Sequence, residues 1–202
     1  MNLRLAHWIS VLLHPVLMPT YALWILLNYN TYLKYTTTPV EQVVLFCIVI
    51  INNLLLPLII SYLLLQRGWI RSFEMETKEE RLVPFAANAA LLMISYYLLE
   101  KLQLPRVYSS LLLGAAISVL LALLINSKWK ISIHMIGIGG MTGILFGLST
   151  FLFIDLRLPM VFSLIVAGLL ATARLSLNAH SPAQLYAGFG LGFLCEYVLL
   201  VI

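Results

Sequence analysis

Seven apolar runs bounded by charge, Pro or Gly divide the chain, at about residues 9 to 28, 43 to 65, 83 to 99, 107 to 126, 133 to 154, 159 to 175 and 183 to 202. A helix needs about 17 to 25 mostly apolar residues to cross roughly 30 Å of hydrocarbon. Backbone amides in lipid must find their partners within the same segment, so each run reads as a helix. The pattern predicts an all-α integral membrane protein, a bundle of six or seven transmembrane helices forming one domain over residues 1 to 202. The choice between six and seven rests on the third run, which is short and holds Pro84. Just ahead of it Thr77-x-x-Glu80 fits a capping box, which would start that segment as an interfacial helix.

Composition agrees with this reading. At 62% hydrophobic and 10% charged residues, with a mean hydropathy of +1.00, the chain has too little polar surface to cover a water-soluble globule. Arg4 precedes the first apolar run, but no small-x-small cleavage site follows, so an uncleaved first helix is expected. Cys47 and Cys195 fall inside apolar segments, where a thiol acts as a small hydrophobe. The net charge of +4 is spread over helix ends rather than gathered on one face, which argues against nucleic acid and for the phospholipid bilayer as the anionic partner. A multi-pass protein of a prokaryotic cell membrane is the expected location.

If all seven runs cross, residues 66 to 82, 127 to 133 and 176 to 182 share one side with the N-terminus. That side collects Lys78 and Arg81, then Lys128, Lys130 and His134, then Arg174 and His180. The Lys/Arg bias between the two sides nearly vanishes once possible ligands are set aside, so orientation stays open.

Arg174 and His180, with five residues between them at the mouth of the last apolar run, are the candidate chemistry. A guanidinium binds phosphate as a planar fork, and an imidazole serves as nucleophile or proton carrier. Ser181-Pro182 reads as an N-cap followed by Pro at the first helical position, which aims free N–H groups at an anion beside His180. Ser132 is placed to cap the fifth helix in the same way, with His134 in its first turn.

In this order the residues resemble the type 2 phosphatidic acid phosphatase superfamily, whose motifs are Lys-x6-Arg-Pro, Pro-Ser-Gly-His and Ser-Arg-x5-His-x3-Asp. The third is matched by Arg174, His180 and Gln184, the last standing where Asp is expected, with Ala173 in place of Ser. The second is matched by Ser132 and His134 without its Pro and Gly. The first is approximated, at compressed spacing, by Lys78-Glu-Glu-Arg81-Leu-Val-Pro84. The resemblance covers roughly residues 78 to 188 and implies a membrane lipid phosphatase or phosphotransferase that works without metal or other cofactor. By position it implies that His180 attacks phosphorus and His134 protonates the leaving oxygen. Arg174, Arg81, Lys78 and Ser132 would bind the phosphate of a membrane lipid, and Gln184 would orient His180. A neutral amide offers no counter-charge to a charged imidazole, and Glu196 lies sixteen residues on, about 24 Å away along a helix. A carboxylate from Glu74, Glu76, Glu79 or Glu80 is the remaining candidate.

Plainer roles compete with these. Ser181-x-x-Gln184 is itself a capping box, Lys and Arg at helix ends serve as snorkelling anchors, and His14 beside Pro15 reads as a helix breaker. Gly139, Gly143 and Gly147, with Gly188 and Gly192, mark close helix packing. Glu196 reads as a buried carboxyl bonded to a neighbour such as Asn52 or Asn53. Two other functions stay open: a catalytically silent lipid-headgroup-binding pseudoenzyme, and a small membrane transporter that uses Asn52, Asn53 and Glu196.

Overall fold

The computed structural model describes residues 1–29, 32–73, 75 and 77–202; of Lys78 only the backbone is described. Among these residues the structure is helical without strands, and seven helices are long and apolar enough to cross a membrane. They are α1 (Leu3–Asn28), α2 (Pro39–Gln66), α3 (Lys78–Lys101), α4 (Arg106–Asn126), α5 (Ile133–Leu152), α6 (Arg157–Ser176) and α7 (Pro182–Val201). A short helix, Tyr32–Thr36, lies between α1 and α2.

The segment that left six or seven open is one continuous helix. Thr77 caps α3 by accepting the Glu80 amide, and the helix continues through Pro84, which lies inside it and has no N–H to give the Glu80 carbonyl four residues back. The reciprocal use of Glu80 expected from a capping box gives way to a charge pairing, since the buried Glu80 carboxylate lies 3.9 Å from Arg71. At its other end α5 stops at Leu152, where exposed Phe153 takes a left-handed conformation with φ of 53°. That is two residues short of the apolar run.

Two helices are interrupted where proline requires it. Pro15 lacks an N–H, and α1 breaks around it into a short 3-10 turn, Pro15–Leu17. In α2, Pro57 would press its ring on the carbonyl four residues back; just before it, at Ile51–Leu55, the hydrogen-bond ladder widens to a π turn. That turn carries Asn53 to a buried position, where its amide donates to Ser95 Oγ at 3.3 Å.

The centre of the bundle is the α5–α7 pair, which run in the same direction at backbone contact. A Cβ on Gly192 would overlap the Ile136 carbonyl, and one on Gly139 or Gly143 would overlap the Phe189 or Phe193 carbonyl. Missing side chains at these positions are what bring the start of α7 beside the start of α5. Glu196 uses the same device, because its side chain fills the space left by Gly114 of α4 and Gly140 of α5. The expected bond to Asn53 is replaced by this niche, and Glu196 Oε2 is left with no hydrogen-bond partner.

Candidate functional site

At the end of α6 the chain reverses through Asn178, in the left-handed region at φ 51°. The Ala179 amide meanwhile returns to the Arg174 carbonyl at 3.1 Å. Ser181 then adopts the extended conformation of an N-cap and Pro182 opens α7. This short turn holds Arg174 on the last turn of one helix and His180 at the threshold of the next. His180 is 9% exposed.

The orientation of His180 follows from three hydrogen-bonding groups. Gln184 Oε1 accepts the Ser181 backbone amide at 3.0 Å. An N–H donor requires an oxygen there, so the side-chain amide of Gln184 cannot be flipped without losing that bond. The same oxygen stands 3.2 Å from His180 Nδ1, which must therefore carry the proton. A neutral His180 then holds its free electron pair on Nε2. Gln184 thus performs both roles that the sequence offers it, capping α7 and orienting the imidazole.

His134, in the first turn of α5, is fixed from the other side. Its Nε2 lies 3.2 Å from the Ser10 carbonyl and donates to it, while Nδ1 has no partner. The Ser10 carbonyl is free for this contact because α1 breaks: the His14 amide, which would close a helical turn on it, turns to Val11 O instead. The ring of His14 stands edge-on to His134 with centroids 5.3 Å apart, and its Nδ1 accepts the Val16 amide at 3.4 Å. His14 is both the expected helix breaker and a wall of the site. The cue in the sequence was Pro15, which frees carbonyls within reach of a polar neighbour.

Arg81, on the second turn of α3, is buried and anchored through Nε to the Met75 carbonyl at 2.7 Å and through Nη1 to Asn126 Oδ1 at 3.4 Å. Arg174 lies within electrostatic range of Arg81, His14, His134 and His180, and Lys130 acts on His180 as well. Two guanidiniums brought together at a partly dehydrated wall repel each other, and an anion between them relieves the repulsion.

These side chains share one cavity of about 500 Å³, whose polar end is lined by His14, Arg81, His134, Arg174 and His180. Ser132 departs from its expected place. It is fully buried, does not line the cavity, makes no side-chain cap and leaves its hydroxyl without a partner. The reason lies in packing: its amide bonds to the Gln184 carbonyl at 3.4 Å and its own carbonyl sits against Gly188, so the residue is held between α5 and α7. The side chain of Lys78 and the residues Glu74 and Glu76 lie outside the described structure, Glu79 is exposed, and Glu80 faces Arg71. Of the groups that support the site, Ser10 and Asn126 carry no chemistry of their own, and sequence reading passed over them.

No known protein family, curated protein or solved structure matches the chain. The function therefore rests on what the groups can do.

Burial lowers the pKa of His180 to about 4, against the upward pull of the Gln184 hydrogen bond and with Arg174, Lys130 and Arg81 pushing the same way as burial. At neutral pH the imidazole is uncharged with Nε2 unprotonated, in a cavity that also holds two guanidiniums. Nucleophilic attack on a phosphorus centre needs both halves of that arrangement.

Proposed function

We propose that this chain is a multi-pass membrane phosphatase or phosphotransferase acting on a lipid phosphate or diphosphate through a phosphohistidine at His180. The observation that carries this reading is the Ser181–Gln184–His180 relay, which presents an Nε2 electron pair inside a cavity that also holds Arg81 and Arg174. A phosphoryl transition state spreads negative charge over its equatorial oxygens, and fixed guanidiniums stabilise it as it forms.

In this mechanism Nε2 of His180 attacks phosphorus and the bond from phosphorus to the lipid oxygen breaks. The proton for that oxygen is passed through His134: its Nε2–H stays on the Ser10 carbonyl, while its Nδ1 takes a proton from the hydroxyl of the substrate's own phosphate and hands it to the leaving oxygen. A water then attacks phosphorus, the phosphorus–nitrogen bond breaks and returns its pair to Nε2, and the water's proton passes through Nδ1 of His134 to the departing inorganic phosphate. An acceptor alcohol in place of water gives transfer instead of hydrolysis.

The Gln in place of the superfamily's Asp fits this scheme. In serine proteases, replacing the orienting carboxylate by an amide lowers kcat about 10⁴-fold because the amide holds the wrong tautomer. The Ser181 amide prevents that here by keeping the oxygen of Gln184 toward the ring.

The test is release of inorganic phosphate from a panel of lipid phosphates and diphosphates by detergent-purified protein. Wild type should release it and His180→Ala should release none. Equal activity of the two proteins, or none from wild type on any lipid, contradicts the reading.

A further inference from the structure

The cavity that holds the cationic end continues far below it. Along α3 its wall runs from Arg81 to Leu99, eighteen residues or about 27 Å of helix. Along α4 it runs from Ala122 to Tyr108, about 21 Å. Between these limits the lining is chiefly aliphatic, including Leu92, Leu112, Ala115, Val119, Met141 and Ile144, with Asn53, Asn88, Ser118 and Glu196 as isolated polar groups in the wall.

The far end is closed. Leu99 and Tyr108 are almost fully buried. The Tyr108 hydroxyl is tied to Thr37 Oγ1 at 2.9 Å and to the Leu33 carbonyl at 3.3 Å, which seats the ring beneath the connection between α1 and α2. Exposed lining residues lie elsewhere, at His7 and Val11 of α1, Leu58 of α2 and Phe73. The space opens at the cationic end and along the side between α1 and α2, and ends blind below.

We propose that this deep arm receives the single aliphatic tail of the substrate, so that the preferred substrate is a lipid phosphate or diphosphate with one long chain, monoacyl or prenyl. This rests on the phosphatase reading for the identity of the head, whereas the arm itself fixes the tail. Three features converge. The cations and imidazoles gather at one end of a space whose remaining wall is mostly apolar and carries no cation, which matches a molecule with its anionic group at one terminus. A volume of about 500 Å³ lies in the range of pockets that hold one small-molecule ligand, which suits a phosphate with one chain better than a phosphate with two. The blind end limits length. A tail leaving a bilayer or a micelle for this arm gains little from the hydrophobic effect, since it is apolar surroundings in both places. Selection therefore comes from exclusion of what does not fit.

The experiment presents single-chain and two-chain lipid phosphates of graded length to the full chain in mixed micelles and reads kcat/KM. Single-chain substrates should exceed two-chain ones by about tenfold or more, as the cost of overfilling a closed space implies. Ala115→Leu, which shortens the arm, should move the optimum to shorter chains, and the wild-type series stands even if that variant folds poorly. Equal kcat/KM for one-chain and two-chain substrates, or a length profile that Ala115→Leu leaves unchanged in a folded protein, overturns the proposal while the phosphatase reading survives. A separate arm measures thermal stabilisation of the protein by a non-hydrolysable single-chain alkylphosphonate against its two-chain counterpart. Stabilisation by the single-chain compound alone supports the proposal even if no lipid is hydrolysed, and stabilisation by neither overturns it.

Discussion

Gln184 places its side-chain oxygen 3.2 Å from Nδ1 of His180, and the backbone amide of the intervening Ser181 prevents that oxygen from turning away. An amide and an imidazole are each ambiguous alone, since either end of the amide and either ring nitrogen can donate. Together with one backbone N–H they have a single consistent arrangement, and it leaves Nε2 as the unprotonated nitrogen.

This predicts an order among variants. Gln184→Asp keeps the acceptor and adds a counter-charge, so phosphate release should be retained or raised. Ser181→Pro suits the local φ of −81° but removes the N–H that fixes the amide. The amide is then free to offer its NH₂ to the ring, and kcat should fall by up to about 10⁴-fold. Steady-state kinetics on a common lipid substrate measure both. Equal rates for Ser181→Pro and wild type contradict the role given to the relay.

The pH profile carries a second prediction. With the His180 pKa held down to about 4 by burial and by nearby Arg174, Lys130 and Arg81, Nε2 stays unprotonated through the neutral range. As pH falls through about 4 the ring takes a proton and loses its nucleophilic pair, so kcat/KM should fall there, reporting the free enzyme. Lys130→Met removes one of the cations that oppose protonation and should move this acid limb to higher pH. The same shift affects stability: the unfolded chain takes up the His180 proton near 6.5 and the folded one only near 4. The stabilising contribution is therefore complete above 6.5 and is lost as pH falls toward 4. An acid limb that Lys130→Met leaves in place contradicts the electrostatic account.

Much of the fold was legible in the sequence because a membrane-length apolar run has few structures open to it. The seven runs and the seven helices coincide, and the differences lie at ends set by capping. Asn2 accepts the Arg4 amide and starts α1 at Leu3, while Thr77 starts α3 ahead of the apolar run. The candidate site was legible in part. Arg174, His180, His134 and Arg81 were marked by residue type at helix boundaries, and the parity of the crossings placed them on one side. Ser132 was misjudged because the sequence shows a cap residue before a helix and does not show that Gly188 lets α7 close over it. His14 was undervalued because a broken helix reads as a defect, whereas here the break exposes the carbonyl that orients His134.

Helix packing supplies a third prediction. Gly192→Ala places a methyl group against the Ile136 carbonyl, where backbone rather than a flexible side chain must give way. Overpacking of this kind costs about 1 to 3 kcal/mol, and it also separates the starts of α5 and α7 that carry His134 and His180. Thermal unfolding in detergent should show a lower Tm, with loss of activity below the transition. Gly190 has no neighbour within 4 Å, so Gly190→Ala is the matched control and should leave both unchanged.

The most direct measurement is to quench the protein within milliseconds of mixing with a ³²P-labelled lipid phosphate and to map the label by alkaline peptide fractionation. Covalent label stable to alkali and lost in acid, located on His180 and missing in His180→Ala, is the predicted result. Phosphate released at the wild-type rate with no label on the protein, or label on another residue while His180→Ala turns over normally, would contradict the account.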